Sequence, residues 1–211
     1  MIFKVSDISR DIRVCIDMNR NNACLLDSGD TETLTIDEII VQKIPEAVRT
    51  AHTEAPTYLL ESGHNFGDSV FWGDKESGYV LLPDDFMRLL VFKMSDWDRA
   101  VYTAISTEDE DYEKMRSRYK GIRGTCQKPV CVIAVRPEGK VLEFYSCKSE
   151  DAQVSQGSYL PYPAIDGSGG IDICERCYTA VIYIAAALVM NTYGEIQKAT
   201  SFFDLAKSAL R

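Results

Sequence analysis

Histidine is scarce in this sequence, basic residues are outnumbered, and no apolar run is long enough to cross a bilayer. Each shortage closes off a class of function. The two histidines are His52 and His64. A structural zinc takes four ligands, usually a second C-x-x-C or paired histidines at fixed spacing. The single C-x-x-C, Cys174 and Cys177, lies far downstream of both histidines and matches no such spacing. No G-x-S-x-G elbow presents a nucleophile. No G-x-x-x-x-G-K-S/T cradles a phosphate. Against 32 acidic residues stand 23 basic ones, a net charge of −9. That balance repels phosphate backbones, so sequence-reading DNA binding is disfavoured, whereas a protein that DNA merely slides past is not. The most apolar stretch, Cys177 to Met190, falls short of the roughly 20 residues a spanning helix needs. The opening MIFKVSDISRDIRV is broken by charge at Lys4 and Asp7, which predicts no secretory segment, no membrane association and synthesis in the cytoplasm. Seven cysteines, an odd count, then read as reduced thiols acting as small hydrophobes.

What is present suits a folded protein. With 45% apolar and 26% charged residues in a 211-residue chain, the composition is that of one globular domain, or one carrying a large insertion. Residues 5–18 place Ile8, Ile12, Cys15 and Ile16 on one helical face, with Ser6 available as N-cap. Polar turns follow at NRNN and DSGD. Thr35 and Glu38 form a capping box ahead of a stripe made by Ile36, Ile40, Ala47, Val48 and Ala51. Pro45 lacks the N–H that would bond the Val41 carbonyl, so a kink or break is expected there. SVFW (69–72) and GYVLLP (78–83) read as a hairpin, PDDFMR as a helical turn, and LLVFKMSDW as a buried extended run. STEDEDYEKMRSRYKGIR (106–123) predicts a charged surface helix in which Glu110 pairs with Lys114. PVCVIAV and KVLEFYS are strands joined at Pro137 and Gly139. SYLPYPAIDGSGG reads as loop. ICERCYTAVIYIAAALVMNTYGE is a core helix closed by Gly194, and a last amphipathic helix uses Ile196, Ala199, Phe202, Phe203 and Leu205. Helices at both ends with strands between them predict an α+β fold: end helices packed together around a central antiparallel β-rich insertion. The expected organisation is a single domain over 1–211, with a helical core from about 5–60 and 171–211 and the insertion at about 66–165.

The chemistry-bearing residues mostly carry a structural reading. Cys174 and Cys177 sit beside Tyr178, Val181 and Ile182, the face of a core helix, and read as packing residues. His52 and His64 have Glu54 and Asp68 nearby, but nearly any histidine in so acidic a chain does; both read as structural. Asp84 and Asp85 fit a helix N-terminus, where the backbone dipole favours negative charge. DGSGG (166–170) reads as linker. No catalytic, cofactor-binding or metal site is expected. One feature keeps two readings open. After EDEDYE, the residues Lys114, Arg116, Arg118, Lys120, Arg123 and Lys128 concentrate positive charge in an acidic protein. They form either a solvated helix face or a docking strip for an acidic partner or a nucleic-acid backbone.

The order of these elements, with the stretches DIRVCIDMNRN, GDTETLTIDEIIVQKIPEAVRTAHTEAP, GYVLLPDDFMRLLVFKMSDWDRAV, RSRYKGIRG, KPVCVIAVRPEGKVLEFYSC and ICERCYTAVIYIAAALVMNTYGE, resembles the head-to-tail connector proteins of tailed bacteriophages. These are the portal adaptors, gatekeepers and ring proteins, and the likeness is nearest to the ring proteins of crAss-like phages. The resemblance implies a non-enzymatic virion protein of the neck or tail region. Its copies, twelve by family expectation, would form a homo-oligomeric ring beneath the portal protein, against neighbouring tail ring or hub proteins. Double-stranded DNA would pass through without being read. It also implies docking surfaces in the region of Arg116 to Arg123 and on the carboxy-terminal helix. Two other classes stay open on the residues: a cytoplasmic bacterial enzyme whose site is assembled from dispersed Cys, His and Asp residues, and a small adaptor that binds a host protein through the 114–128 strip.

Overall fold

The computed structural model describes residues 1–16, 34–61, 63–74, 76–115, 117, 119 and 122–211. Among these the chain is α+β, with helices towards both ends and a central region dominated by strands. It divides into two compact units, Met1–Glu61 with Pro163–Arg211, and Ser62–Tyr162. The expected turns at NRNN and DSGD, and the last two residues of the first expected helix, lie outside the described residues.

The first unit is helical. Strand β1 (Ile2–Lys4) runs directly into α1 (Val5–Cys15) and pairs antiparallel with β10 (Gly170–Asp172). Ser6 does not cap α1. The N-cap position is Lys4, and the free Val5 N–H instead donates to the Gly169 carbonyl at 2.9 Å, because the β1 pairing already delivers an acceptor there. Helix α2 (Ile36–Glu54) opens on the expected capping box, in which the Thr35 N–H donates to Glu38 at 2.7 Å. No break occurs at Pro45. Ile40, Ile44, Ala47, Val48 and Ala51 are fully buried on both sides of it and hold the two halves on one core. Full burial of an Ile side chain contributes about 2 kcal/mol, enough to offset a single missing helical bond. Helix α4 (Tyr178–Thr192) is buried around most of its circumference and packs against α1, α2 and α5 (Ile196–Ala209). Gly194, at φ +76°, takes the left-handed conformation that ends α4, and Glu195 N–H closes onto the Met190 carbonyl at 3.0 Å. In α5, Ala199 and Ala206 are buried while Phe202 stacks on Tyr183. Ile196 and Leu205 depart from the expected inward stripe, at 67% and 47% exposure. No helix among the described residues is long and apolar enough to cross a membrane.

The second unit is built of strands. A five-stranded sheet has the order β3 (Val70–Trp72), β4 (Gly78–Leu81), β8 (Gly139–Phe144), β7 (Cys131–Arg136), β6 (Ile105–Ser106); only the last pair is parallel. A three-stranded sheet joins β2 (His64–Asn65), β9 (Val154–Pro161) and β5 (Phe86–Met94). Both expected hairpins are present, β3–β4 and β7–β8, the latter turning through Pro137, Glu138 and Gly139 at φ +131°. Side chains from the two sheets meet in one aromatic core. Phe92 stacks on Phe66 at 5.9 Å and meets Trp97 and Phe144 at 5.8 and 6.0 Å. Three expectations are corrected here. PDDF is no helical turn: Phe86 N–H donates to the Pro83 carbonyl in a tight turn that delivers the chain straight into β5. SYLP belongs to β9. Of the charged helix expected over 106–123, the described residues retain only α3 (Tyr112–Met115), where Met115 alone is buried. A segment with no apolar stripe has no tertiary packing to stabilise a helix.

Candidate interaction surface

The basic strip is the surface feature that the residues themselves single out. Arg116, Arg118 and Lys120 lie outside the described residues. Lys114 is exposed and pairs with Asp111 at 2.5 Å, not with Glu110. Lys128 is exposed in a tight turn, its N–H donating to the Thr125 carbonyl at 2.9 Å. Arg123 points inward. Its side chain is 15% exposed and forms an ion pair with Glu76, while its Nε is buried with no hydrogen-bond partner. The three described members therefore occupy three different settings.

Arg123 leads to a network that sequence reasoning missed. Strand pairing sets Tyr79 of β4 directly opposite Glu143 of β8. The buried Glu143 accepts from Arg136 Nε and Nη2 at 2.9 and 2.7 Å through one oxygen, and from the Tyr145 hydroxyl at 2.7 Å through the other. The Arg136 guanidinium lies 4.1 Å above the Tyr79 ring, a cation–π contact. Burial, then the hydrogen bond and charge of Glu143, push the Tyr145 hydroxyl well above the usual tyrosine range. Asp74 resists burial, which would raise it; hydrogen bonds from Glu76 and Ser77 and the Arg123 charge hold it below the ordinary carboxylate value. Asp74, Arg123, Arg136, Glu143 and Tyr145 line a cleft of about 310 Å³. Each guanidinium there already faces a carboxylate, so the cleft is a matched network rather than an acid and a base poised for proton transfer. The signal was available in the alternation of β7 and β8: a hairpin turning at Pro137 and Gly139 places Arg136 and Glu143 on one face.

Beside this network the sheet ends in β3. Phe71, 41% exposed, stacks on Tyr79 at 5.2 Å between ring centres, and Leu81, 39% exposed, follows on the same face. Val70–Trp72 hydrogen-bonds β4 on one side and has no strand on the other among the described residues. A second cleft, of about 670 Å³, is lined by Val70 and Trp72 of this strand with Asp68, Glu150 and Asp151. An open sheet edge thus carries an apolar face and borders an acidic hollow.

The remaining candidates fall into ordinary structural settings. His52 is buried in the helical unit, where its Nε2 accepts the Cys174 N–H at 3.1 Å. His64 is exposed on β2 with its ring edge-on to Tyr159. Cys174 and Cys177 are both buried and flank a single helical turn before α4. Asp84 and Asp85 cap no helix: Asp85 accepts the Tyr159 hydroxyl at 2.8 Å, and its carbonyl accepts Tyr162 N–H at 2.7 Å. Asp166 likewise organises its own loop, accepting from Ser168 and Gly170, which holds it below the ordinary value. No protein-family model matches the chain, and no curated protein matches it in sequence.

Proposed function

We propose that this chain is a structural assembly subunit: a ring-forming connector of a tailed-phage virion that sits beneath the portal and bridges head and tail. The observation that carries the reading is the open edge of the five-stranded sheet. Strand β3 holds no charge, proline or bulge, devices by which a monomeric sheet protects its edge, and no strand covers it among the described residues. Phe71, Tyr79 and Leu81 extend an apolar face up to that edge. An unshielded edge with an aromatic face is suited to covering by another chain, and heterologous contacts of that kind close into rings when the rotation allows. Ile196 and Leu205, exposed on α5, add apolar surface on the carboxy-terminal helix. A net charge of −9 per subunit suits a protein past which DNA slides without adhering. The family likeness supplies the portal and tail neighbours and the expectation of twelve copies.

Native mass spectrometry across a concentration series, with electron microscopy of the same sample, tests this. The expected result is a closed ring of identical copies with rotational symmetry. A chain that stays monomeric at every concentration, alone and with portal-containing particles, overturns the proposal. The same spectra separate the enzyme reading, which calls for a tightly retained small ligand and no ring.

A further inference from the structure

Away from the sheet edge, three loops of the strand-built unit converge on a pair of cysteines. Cys126 sits in the tight turn between Thr125 and Lys128, and its carbonyl accepts Asp98 N–H at 3.0 Å. Its Sγ donates to the Ser146 carbonyl at 2.8 Å. That carbonyl belongs to the peptide joining Ser146 to Cys147, so by standard backbone dimensions the Cys126 sulfur lies within about 6 Å of the Cys147 Cα. The Cys126 charge also acts on the Cys147 thiol, which places the two side chains close together. Ser146 is the only described non-glycine residue at positive φ, 66°, and its hydroxyl donates to the Gly124 carbonyl at 2.6 Å. Cys147 is anchored in turn by its N–H, which donates to the Glu76 carbonyl at 2.8 Å. The strained backbone is therefore fixed to the Cys126 loop through two bonds at Ser146. Both cysteines line a cleft of about 290 Å³ with Glu76, Thr125, Ser146 and Lys148.

The surroundings of Cys147 add a second observation. Asp96 Oδ1 and Trp97 Nε1 are buried and have no hydrogen-bond partner. Asp96 raises the Cys147 thiol and Trp97 lowers it, while the other Asp96 oxygen accepts Lys148 N–H. Burial, followed by the Asp96 charge, raises both thiols above the ordinary cysteine value, so each rests protonated.

We propose that Cys126 and Cys147 form a reversible redox latch, closed by small-molecule disulfides that reach the cleft. Cys126, the more exposed of the two, reacts first. Its sulfur attacks one sulfur of the incoming disulfide, whose S–S bond breaks; a mixed disulfide forms, and the departing sulfur takes up the Cys126 proton and leaves as one small thiol. Cys147 then attacks the Cys126 sulfur, and its proton passes to the departing sulfur, which leaves as the second small thiol. The protein dithiol is oxidised by two electrons, and the incoming disulfide is reduced to two thiols. The closed latch ties the 124–128 turn to the end of β8. It stands apart from the assembly reading and holds whether or not the chain forms rings.

Oxidised glutathione applied to the folded full-length protein is the probe. Free thiols are then blocked, and peptides are mapped by mass spectrometry without reductant. The expected product is a Cys126–Cys147 cross-linked peptide pair, lighter by two hydrogens, reopened by dithiothreitol and accompanied by a higher thermal midpoint. Cys147→Ala should stop the reaction at a Cys126–glutathione adduct, and Cys126→Ala should leave Cys147 unmodified. Circular dichroism before oxidation establishes that each variant is folded; if one is not, the wild-type peptide map decides alone. A wild-type protein that stops at the Cys126 adduct, links Cys131 instead, or does not react while folded overturns the proposal.

Discussion

His52 and Tyr159 show how this chain uses reactive side chains as fasteners. The His52 imidazole is buried and accepts the Cys174 N–H at 3.1 Å, tying α2 to the turn before α4. Removing the acceptor leaves a buried backbone N–H without its partner. His52→Ala should therefore cost about 2 kcal/mol, read from the urea midpoint; a change within a few tenths would mean the bond contributes nothing. Tyr159 offers a pH test. Burial first, then the hydrogen bond and charge of Asp85, push its hydroxyl up to about 12. An unfolded tyrosine loses its proton near pH ~10. The native state holds the proton more tightly, so the stability from this group is complete below pH ~10 and is lost as pH rises through about 12. Tyr159→Phe lacks the term. At pH 8 the variant should be about 1 kcal/mol less stable, and the gap should narrow as the solution is made alkaline. A gap that stays constant to pH 12 would show that the hydroxyl does not titrate with folding.

At the scale of elements, legibility followed local chemistry. The α2 capping box, the β7–β8 hairpin turn at Gly139 and the Gly194 helix stop were readable because each is determined by a few neighbouring residues. Pairing between distant segments was not readable. Strand β9 hides in a stretch rich in Ser, Gly and Pro that reads locally as loop, and it becomes a strand because β2 and β5 take up its backbone on either side. Alternation within the β7–β8 hairpin brings Arg136 and Glu143 to one face, but placing Tyr79 beside them needed the β4–β8 register. The same long-range fit makes Gly157 sensitive. A Cβ there would stand 2.3 Å from the Phe66 carbonyl, whose residue also donates its N–H to Gly157 at 3.2 Å. Neither backbone can yield without breaking that bond. Gly157→Ala should destabilise the protein by about 2–3 kcal/mol, measured by thermal unfolding. Gly139→Ala, with open space around its Cβ and only a strained φ to accommodate, should cost about 1 kcal/mol. Equal losses at the two sites would remove the argument from close approach.

For the molecule as a whole, the decisive quantity is what happens at the β3 edge of the five-stranded sheet, which no strand covers among the described residues. If β3 is where a neighbouring subunit docks, a charge placed there must be desolvated on assembly but not on folding. Phe71 is the residue for that experiment. Its ring stacks on Tyr79 while 41% of the side chain remains in solvent, so a lysine can turn outward with little loss to the core, by about 1 kcal/mol at most. Edge lysines are the device that natural sheets use against pairing with other chains. Phe71→Lys should keep the circular dichroism and thermal midpoint close to those of the parent while the ring dissociates to smaller species in native mass spectra. Arg10→Glu, on an exposed position of α1 paired with Asp7 at 3.7 Å, serves as a charge-changing control that leaves both the edge and α5 alone and should leave the ring intact. Rings that survive Phe71→Lys would move the interface away from β3, and exposed Ile196 and Leu205 would become the next positions to charge. Rings lost equally in both variants would mean that assembly follows overall charge rather than the open strand.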